Sequence, residues 1–248
     1  MVVFRGKKPT SSTRSSARSN VSGGHGERTR RMLYGRRKGP KLSAHQQYLL
    51  DHLLPQFELH LQPDADPRGY LFETIEDVWL EVGFGGGEHL IWQAQHYSNV
   101  GLIGADPYVN GVVRLLSQLE SAPAPNIRIY TGDAREIVEA FPDGSLGRVF
   151  VLFPDPWPKT RHHKRRFIQM EMLDQLARAM KPGAELRFAS DDAGYVEWTL
   201  ERLMAHPSFD WTASCASDWQ TRPEDWPATR YEAKQLHGKP AFLRFLRA

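Results

Sequence analysis

The sequence has 248 residues, of which 40% are hydrophobic and 25% are charged, and its formal net charge at pH 7 is +3. It contains no run of about 18 apolar residues, so we expect no transmembrane helix and no association with a membrane. The single cysteine, Cys215, excludes an intrachain disulfide, argues against a cysteine-based zinc site and fits a reducing compartment such as the cytoplasm.

The positive charge is concentrated near the N-terminus. Residues 1–41 contain twelve Lys and Arg residues and one acid, Glu27, whereas the rest of the chain contains 20 Lys and Arg residues and 28 acids. A basic segment on an acidic body favours a polyanionic partner, RNA or DNA, over a tail that only aids solubility. Residues 1–30 are rich in Ser, Gly and Arg and nearly lack large apolar side chains, which predicts a disordered basic arm. A mitochondrial transit peptide has a similar composition, but the few apolar residues here follow no helical spacing.

Residues 31–248 are predicted to form one domain in which strands and helices alternate. A capping-box pair, Ser43 and Gln46, accompanies a predicted helix over 42–54, which Pro55 is expected to end. Apolar runs and helical periodicity then predict a strand at 78–84, a helix at 88–97, a strand at 101–106, a helix at 109–119, strands at 127–133 and 148–153, a helix at 165–180, a strand at 184–190 and a helix at 193–205. Strands at 209–215 and 241–246 would close the sheet as an antiparallel pair. This order predicts an α/β fold with a mostly parallel, seven-stranded sheet and helices on both faces.

The stretch LEVGFGGGEHL, residues 80–90, places a glycine turn between the first of these strands and the following helix. Gly83, Gly85 and Gly87 give the spacing G-x-G-x-G at a position where the backbone must approach a ligand closely. A dinucleotide-binding fold would have its last glycine at position 88, but Glu88 stands there, and a carboxylate at a helix N-terminus disfavours a pyrophosphate. Together with Glu81, this acid indicates a cationic or amine-bearing ligand.

Two further acids follow the next two strands. Asp106 ends the second strand, where a carboxylate can accept both hydroxyls of a ribose. Asp133 ends the third strand, where it or the backbone of Ala134 can meet the edge of an adenine. Each acid alone is more typical of a turn or a helix N-cap. Because both are expected to meet Glu81 in one crevice beside the glycine turn, the set predicts a nucleoside that carries positive charge, such as the sulfonium S-adenosylmethionine.

The stretch FPDPWPKTRHHKRR, residues 153–166, follows the fourth strand and has no acid after Asp155. Ligands commonly bind at the ends of strands in open α/β sheets. The prolines should stiffen this loop, and Trp157 would either stack on an unstacked base or pack in the core. His162 and His163 are interpreted as polar neighbours of RNA rather than metal ligands. The basic residues of the loop are expected to contact phosphates, and these are Lys159, Arg161, Lys164, Arg165 and Arg166.

Asp191 and Asp192 end the fifth strand, and either can cap the following helix, which does not exclude a substrate contact by the other. The long polar connection at 218–240 separates the last two predicted strands. Loops of that length in compact domains are often functional, although an exposed hairpin tip is the simpler alternative.

Taken together, these motifs resemble the bacterial single-subunit tRNA (guanine-N7)-methyltransferases, from about Tyr34 to the C-terminus. The resemblance is carried by RRKG (36–39), LEVGFGGGEH (80–89), IGADPYVNGV (103–112), TGDA (131–134), FPDPWPKTRHHKRR (153–166), ASD (189–191) and TRYE (229–232). It implies a Rossmann-like class I methyltransferase fold, S-adenosylmethionine as the donor, and N7 of guanine 46 in the variable loop of tRNA as the acceptor. Position 106 is Asp where the family often has Glu, which shortens the reach to a ribose by one methylene.

The resemblance also implies roles for individual residues. Asp155 falls on the catalytic position. The positions that contact the cofactor correspond to Glu81, Gly83, Gly85, Asp106, Asp133, Ala134 and Asp155. The positions that contact the guanine or its tRNA correspond to Lys159, Asp191, Thr229, Arg230, Tyr231 and Glu232. We expect no metal site and no obligate protein partner.

The chemistry of guanine N7 suits these residues. N7 carries a lone pair and no proton, so its methylation needs no base that removes a proton before attack. The enzyme must hold N7 in line with the sulfonium methyl and stabilise the positive charge that moves into the purine. The carboxylate of Asp155 or Glu232 can accept hydrogen bonds from both the N1–H and the exocyclic amine of guanine. Adenine has an acceptor at N1 and would leave the carboxylate partly unpaired.

Three other functions fit part of the sequence. A Rossmann oxidoreductase would bind a nicotinamide cofactor, against which Glu88 argues because it replaces the third glycine. An RNA-binding protein with a degenerate methyltransferase fold would not need an intact glycine turn or Asp155. A methyltransferase that acts on a small molecule or a protein would not need the basic arm and the basic loop.

Overall fold

A seven-stranded sheet is the central layer of the structure, a computed structural model that describes Gly35, residues 37–228, Glu232 and residues 238–248. The strands are β1 (Asp77–Val82), β2 (Val100–Ala105), β3 (Ile127–Tyr130), β4 (Leu146–Leu152), β5 (Met180–Ser190), β6 (Phe209–Trp211) and β7 (Ala241–Arg247). They lie in the order β3-β2-β1-β4-β5-β7-β6. The neighbours from β3 to β5 are parallel, and β7 is antiparallel to both β5 and β6. The predicted mostly parallel sheet with an antiparallel closing pair is confirmed.

Helices cover both faces of this sheet. They are α1 (Ala44–Tyr48), α2 (Leu54–Phe57), α3 (Glu88–His96), α4 (Val109–Ser121), α5 (Ala134–Ala140), α6 (Met170–Ala179), α7 (Ala193–Ala205) and α8 (Ser217–Gln220). Leu90 of α3 and Leu116 of α4 belong to the buried cluster on one face. Ile137 of α5, Leu173 of α6 and Tyr195 of α7 belong to the cluster on the other. Strands that are covered on both sides are mostly apolar, as in other doubly wound sheets.

The N-terminal helix differs from its prediction at Pro55. The predicted capping box is present: Gln46 N–H donates to the Ser43 hydroxyl at 3.2 Å, and Ser43 N–H donates to the Gln46 side-chain oxygen at 2.9 Å. A π-helical turn over Leu49–Leu53 follows α1, and Pro55 lies in the first turn of α2. The first turn of a helix tolerates proline because the N–H that proline lacks has no partner there. The expectation that Pro55 ends the helix was therefore wrong.

The segment between β4 and α6 also differs from the sequence prediction. A helix was expected over 165–180, but a 3₁₀ helix occupies Thr160–Arg165 and α6 begins only at Met170. Side-chain hydrogen bonds, two of them local and one to α7, hold the backbone in between. The Gln169 amide donates to the carbonyl oxygens of His163 and Arg166 at 2.7 and 3.1 Å, and Phe167 N–H donates to the Tyr195 hydroxyl at 2.9 Å.

Two predicted strands end earlier than expected. β3 stops at Tyr130 rather than 133, and β6 stops at Trp211 rather than 215. After β6 the Asp218 carboxylate accepts hydrogen bonds from the N–H groups of Ser214 and Cys215, which fixes a turn instead of a strand.

The strand order creates a crevice at the carboxyl end of β1. β1 lies between β2 and β4, so the segments that follow β1 and β4 diverge to opposite sides of the sheet. Ligands of open α/β sheets bind at such a switch point. The described residues belong to one compact unit, and the predicted arm, 1–30, lies outside them. In the described part of the chain no helix is long and apolar enough to cross a membrane.

Candidate active site

A cavity of about 550 Å³ opens at this crevice. Its volume lies in the range of small-molecule and cofactor sites. The cavity is lined by six of the residues that were predicted to contact a cofactor: Gly83, Gly85, Asp106, Asp133, Ala134 and Asp155. Glu81, Lys159, Asp191 and Glu232, also predicted for the site, lie outside this lining. The structure therefore brings the acids after β2, β3 and β4 together in the cavity lining, of which Glu81 is not a part.

The glycine turn leaves room for a ligand next to β1. Gly83 has a φ of 73°, in the left-handed region that favours glycine, and a Cβ at this position would meet no heavy atom within 4 Å. Gly111 of α4 supports the turn from the other side, since a Cβ there would lie 2.3 Å from the carbonyl oxygen of Gly85. The turn is held against α4, and the space beside Gly83 belongs to the cavity.

Asp106 fixes the glycine turn and faces the cavity. Its carboxylate accepts hydrogen bonds of 2.8 Å from the N–H groups of Gly85 and Tyr108. Burial raises the pKa of Asp106 to about 6; the two N–H groups oppose the rise, and the carboxylates of Glu81 and Asp155 add to it. Each carboxylate oxygen has a second lone pair, so Asp106 can still accept a hydrogen bond from a ligand hydroxyl.

Glu81 lies behind the turn rather than in the cavity wall. It is 2% exposed, and its Oε2 lies 2.8 Å from Nδ1 of His89, which is equally buried. Its charge still acts on the site, because it raises the pKa of Asp106. His89 was not predicted as a site residue, because no sequence pattern marks one histidine of a helix as the partner of a particular carboxylate.

Asp133 combines two functions that the sequence left as alternatives. It caps α5 by accepting a hydrogen bond of 3.0 Å from Arg135 N–H, and it also lines the cavity. The Arg135 guanidinium lies 3.1 Å from Oδ2 of Asp133 and donates to the carbonyl oxygens of Arg165 and Arg166 at 3.2 and 3.3 Å. Arg135, which was not predicted as a site residue, therefore ties the acid after β3 to the end of the basic loop.

The FPDPW loop, residues 153–157, has strained backbone at both ends. Phe153 has a φ of 48° and Trp157 a φ of 46°, values that bulky residues rarely adopt and that cost of order 1–3 kcal/mol each. Such strain is concentrated at functional sites. Between these residues Asp155 is exposed at the cavity, and partial removal from water raises the pKa of its carboxyl.

Trp157 lines the cavity instead of packing in the core. Its side chain is half-buried, and the Arg165 guanidinium lies 4.9 Å from the ring centroid, within cation–π range. The His162 ring meets Trp157 edge-on at 6.0 Å. Burial lowers the pKa of His162, and the cations Arg165 and Arg161 lower it further.

One of the predicted phosphate contacts was wrong. Arg166 is 3% exposed, and its guanidinium donates to the carbonyl oxygens of Pro156 and Gly194 at 2.8 and 3.1 Å. It lies 4.8 Å from the ring centroid of Tyr195 and 5.0 Å from that of Trp198. A side chain so enclosed cannot reach a phosphate, and it instead joins the FPDPW loop to α7. Lys159, Arg161 and Lys164 are exposed, whereas Arg165 is half-buried at the cavity.

The remaining predicted substrate residues lie in and beside the C-terminal connection, residues 221–240. Asp192, not Asp191, caps α7, since it accepts a hydrogen bond of 2.7 Å from Tyr195 N–H. A Cβ on Gly238 would lie 3.4 Å from the carbonyl oxygen of Asp191, so the end of the connection passes close to β5. Oε2 of Glu232 lies 3.7 Å from the guanidinium of Arg222. The other predicted residues of this element, Thr229, Arg230 and Tyr231, lie outside the described residues.

The chain before α1 is fastened beside the cavity. Gly35 belongs to the cavity lining, and a Cβ there would lie 3.3 Å from Oδ2 of Asp155. The Asn110 side chain accepts a hydrogen bond from Gly39 N–H at 2.6 Å and donates to the Pro40 carbonyl at 3.0 Å. Gly35 therefore lies close to the acid of the FPDPW loop, and Gly39 and Pro40 are held by Asn110 of α4. Among the described residues no group of three His, Cys, Asp or Glu side chains is arranged to hold a metal ion.

Comparisons with known proteins agree with this fold. Residues 76–244 match the family model described as "Putative methyltransferase". A tRNA (guanine-N(7)-)-methyltransferase of Rhodospirillum rubrum is 52% identical over 87% of this chain and 87% of its own length. One of Azorhizobium caulinodans is 45% identical over 87% of this chain and 94% of its own length. The crystal structure of the 16S rRNA methyltransferase KamB has a TM-score of 0.54 at 19% identity and covers 75% of this chain and 95% of that one.

The sheet order, the glycine turn and the cavity at the switch point define a Rossmann-like, class I S-adenosylmethionine-dependent methyltransferase fold. The sequence relatives show to which family of methyltransferases the chain belongs. Since they are 45–52% identical over most of the chain, it belongs to the tRNA (guanine-N(7)-)-methyltransferase family.

Proposed function

We propose that this protein transfers a methyl group from S-adenosylmethionine to N7 of guanine 46 in the variable loop of tRNA. The observation that carries the proposal is the meeting of Asp106, Asp133 and Asp155 in one cavity of a chain that belongs to this family. The carboxylates favour a ligand with positive charge, and the position of Asp155 on a strained loop favours a catalytic role for it.

The residues around the cavity fit S-adenosylmethionine, which supplies an activated methyl group on a sulfonium when bound. The open space beside Gly83 suits a ligand that approaches the backbone closely. Asp106 is available to accept hydrogen bonds from ribose hydroxyls, and Asp133 with the Ala134 backbone is available for an adenine edge. Glu81 contributes its charge from behind the turn, and a direct contact with the ligand remains part of the proposal.

The chain's own residues would act by positioning and electrostatics. Guanine N7 offers a lone pair without a proton, so the reaction needs no general base before attack. Asp155 would accept the N1–H and the exocyclic amine of guanine, holding N7 toward the cavity. Those donors strengthen as positive charge enters the purine, so the same carboxylate would stabilise the transition state more than the bound guanine. Trp157, at the cavity wall, would offer a stacking face to the flipped base.

Basic residues would hold the tRNA around this base. Lys159, Arg161 and Lys164 are exposed beside the FPDPW loop. Their contacts with phosphates would contribute to an affinity for tRNA that falls as the salt concentration rises. Asp191, Glu232 and the predicted contacts at 229–231 would complete the guanine site from the C-terminal connection. The basic arm, residues 1–30, would add further phosphate contacts. We place this activity in the cytoplasm, without an obligate protein partner.

The test is a methylation assay on defined RNA. The purified full-length chain is incubated with S-adenosylmethionine and a tRNA transcript, and 7-methylguanosine is mapped by mass spectrometry of nuclease fragments. A transcript with adenine at position 46 is the control. Methylation of guanine 46 in the first transcript and none in the second is expected. A product at another guanine or at another atom of the base would refute the proposed acceptor, and no product at all would refute the proposed activity.

A further inference from the structure

A chain of buried polar side chains runs from β1 to the C-terminal connection. Glu81, His89 and Gln93 are 2%, 2% and 0% exposed. Nδ1 of His89 lies 2.8 Å from Oε2 of Glu81, and Nε2 of His89 lies 3.1 Å from the amide nitrogen of Gln93. The same amide nitrogen donates a hydrogen bond of 2.9 Å to the carbonyl oxygen of Asp225. Three side chains thus connect a strand beside the cavity with a loop far along the sequence.

The hydrogen-bonding capacity of these groups gives the chain a direction. The Asp225 carbonyl accepts only, so the nitrogen of the Gln93 amide must face it. The second N–H of that amide then donates to Nε2 of His89, and the His89 proton is at Nδ1, where it is donated to Glu81. Among the described residues no donor reaches Oε1 of Gln93. A buried amide that leaves one end without a partner is costly, which indicates that Gln93 is present for its two donors.

The C-terminal connection is anchored at residues 225 and 226, where this series of hydrogen bonds ends. Trp226 is 2% exposed, and its ring meets those of His89 and Phe242 edge-on at 5.8 and 5.3 Å. The Asp225 carboxylate accepts two hydrogen bonds, of 2.9 and 2.8 Å, from the guanidinium of Arg187 on β5. Residues 225 and 226 are therefore held by α3, β5 and β7 together. Thr229, the first residue of the TRYE motif, follows three residues later in the sequence.

We propose that His89 and Gln93 are positioning residues that couple the cofactor side of the active site to the loop that carries the guanine contacts. This inference rests on the proposed function, because it gives the two ends of the chain a cofactor and a tRNA guanine. Glu81 lies on β1 immediately before Val82 and Gly83, which line the cavity, so a ligand that contacts this end of β1 also acts on the hydrogen bond between Glu81 and His89. A change in the position of His89 is then passed to residues 225–228 through the hydrogen bonds from Gln93 to His89 and to the Asp225 carbonyl.

The test compares two glutamines of the same helix. Gln93→Met removes both donors and keeps the length and flexibility of the side chain. Gln95→Leu, at an exposed position of α3, is the matched control. For each full-length variant, hydrogen exchange of residues 221–228 is measured with and without S-adenosylhomocysteine, together with the Kd of that ligand and the kcat and KM for tRNA. His89→Asn, which keeps a donor toward Glu81 but not the contact with Gln93, is the second variant in case Gln93→Met does not fold.

In the wild type and in Gln95→Leu, S-adenosylhomocysteine should slow exchange of residues 221–228 by about threefold or more. Gln93→Met should lose this response while its Kd for the ligand stays within about twofold, and its KM for tRNA should rise about fivefold with little change in kcat. The coupling is overturned if the ligand leaves exchange of this loop unchanged in the wild type, or if Gln93→Met and His89→Asn keep the full response. The exchange measurement uses no tRNA, so absence of tRNA methylation would count against the proposed function alone.

Discussion

The carboxylate of Asp106 holds the backbone of Gly85 through a hydrogen bond of 2.8 Å to its N–H. One acid after β2 thereby sets the shape of the glycine turn after β1 and faces the cavity at the same time. Burial raises its pKa to about 6, so Asp106 changes charge within the range in which the protein can be studied.

We predict that the affinity for S-adenosylhomocysteine depends on pH through Asp106. The ionised carboxylate is the better acceptor for ribose hydroxyls, so the ligand should bind the deprotonated form. Because the pKa without ligand is about 6, the Kd should be about tenfold higher at pH 5 than at pH 7.5 and should level off above pH 7. Isothermal titration calorimetry between pH 5 and pH 7.5 measures this Kd. Asp106→Asn should bind weakly with little pH dependence, and a wild-type Kd that is equal at pH 5 and pH 7.5 would exclude Asp106 as the group responsible.

The Asp106 carboxyl also makes the free energy of unfolding of the ligand-free protein depend on pH. A carboxyl whose pKa is raised on folding stabilises the protein below its unfolded pKa, and this contribution is lost as the pH rises through about 6. Cofactor binding should therefore offset a destabilisation that the ionised Asp106 imposes on the empty site.

Gly83→Ala should weaken cofactor binding far more than it weakens the fold. The added methyl group projects into open space at the cavity, and the backbone strain at a φ of 73° costs only about 1 kcal/mol. We expect a Kd for S-adenosylhomocysteine at least about tenfold higher, with a Tm only about 2–4 °C lower. Gly144→Ala is the matched control, because Gly144 also has a positive φ, of 60°, and open space, but lies between α5 and β4 outside the cavity lining. An equal loss of affinity in both variants would show that strain, not the filled space, is the cause.

Asp155→Ala should lose methyl transfer while keeping most of the tRNA affinity. Loss of one group that stabilises charge in a transition state, such as an oxyanion-hole donor, typically lowers kcat by about 10²–10³-fold, and we expect a loss of this size here. The exposed basic residues are unchanged, so the Kd for tRNA should stay within about threefold. Single-turnover assays and filter binding measure the two quantities, and turnover at the wild-type rate would remove Asp155 from the mechanism.

The sheet and the cavity acids were predictable because their signals are local. Buried parallel strands are short apolar runs, and the polar residues that end them must meet at one edge of the sheet. Asp106, Asp133 and Asp155 therefore fall in one cavity once the strands are recognised. Gly83 follows from the same logic, since a turn that approaches a ligand needs a residue with positive φ.

The errors arose where distant contacts decide the local structure. Arg166 is part of a charge run, which in a sequence is typical of a solvated surface, but Tyr195 and Trp198 enclose it in the fold. The helix expected from residue 165 is displaced because Arg135 and Gln169 bind backbone carbonyls of that segment. The pairing of Glu81 with His89 likewise depends on how α3 packs, which periodicity does not determine.

Deletion of residues 1–30 should weaken tRNA binding in a salt-dependent way and leave methyl transfer intact. The segment carries seven Lys and Arg residues and one acid. Fewer phosphate contacts release fewer counterions, so the plot of log Kd against log salt should become shallower. Binding is measured over a series of salt concentrations for both chains, with kcat at saturating tRNA as the control. Identical affinities throughout the series would assign no tRNA contact to the arm.

Two arginines of the basic loop should respond in opposite ways to replacement by alanine. Arg166→Ala removes two hydrogen bonds to backbone carbonyls and the packing on Tyr195 and Trp198, so we expect a loss of about 2–4 kcal/mol in unfolding free energy. Arg166→Lys should restore little of it, because an ammonium cannot reproduce the planar fork of donors. Thermal or urea unfolding measures the change.

Arg161→Ala should leave stability unchanged and weaken tRNA binding. Arg161 is exposed, so its replacement removes no packing, but the loss of one phosphate contact should lower the salt slope of tRNA affinity by about one. The reverse result, in which Arg166→Ala keeps its Tm and loses the salt slope, would return Arg166 to the phosphate-binding surface. The contrast bears on the proposed mechanism because Arg166 donates a hydrogen bond to the carbonyl oxygen of Pro156, the residue next to Asp155, and so holds the FPDPW loop in place.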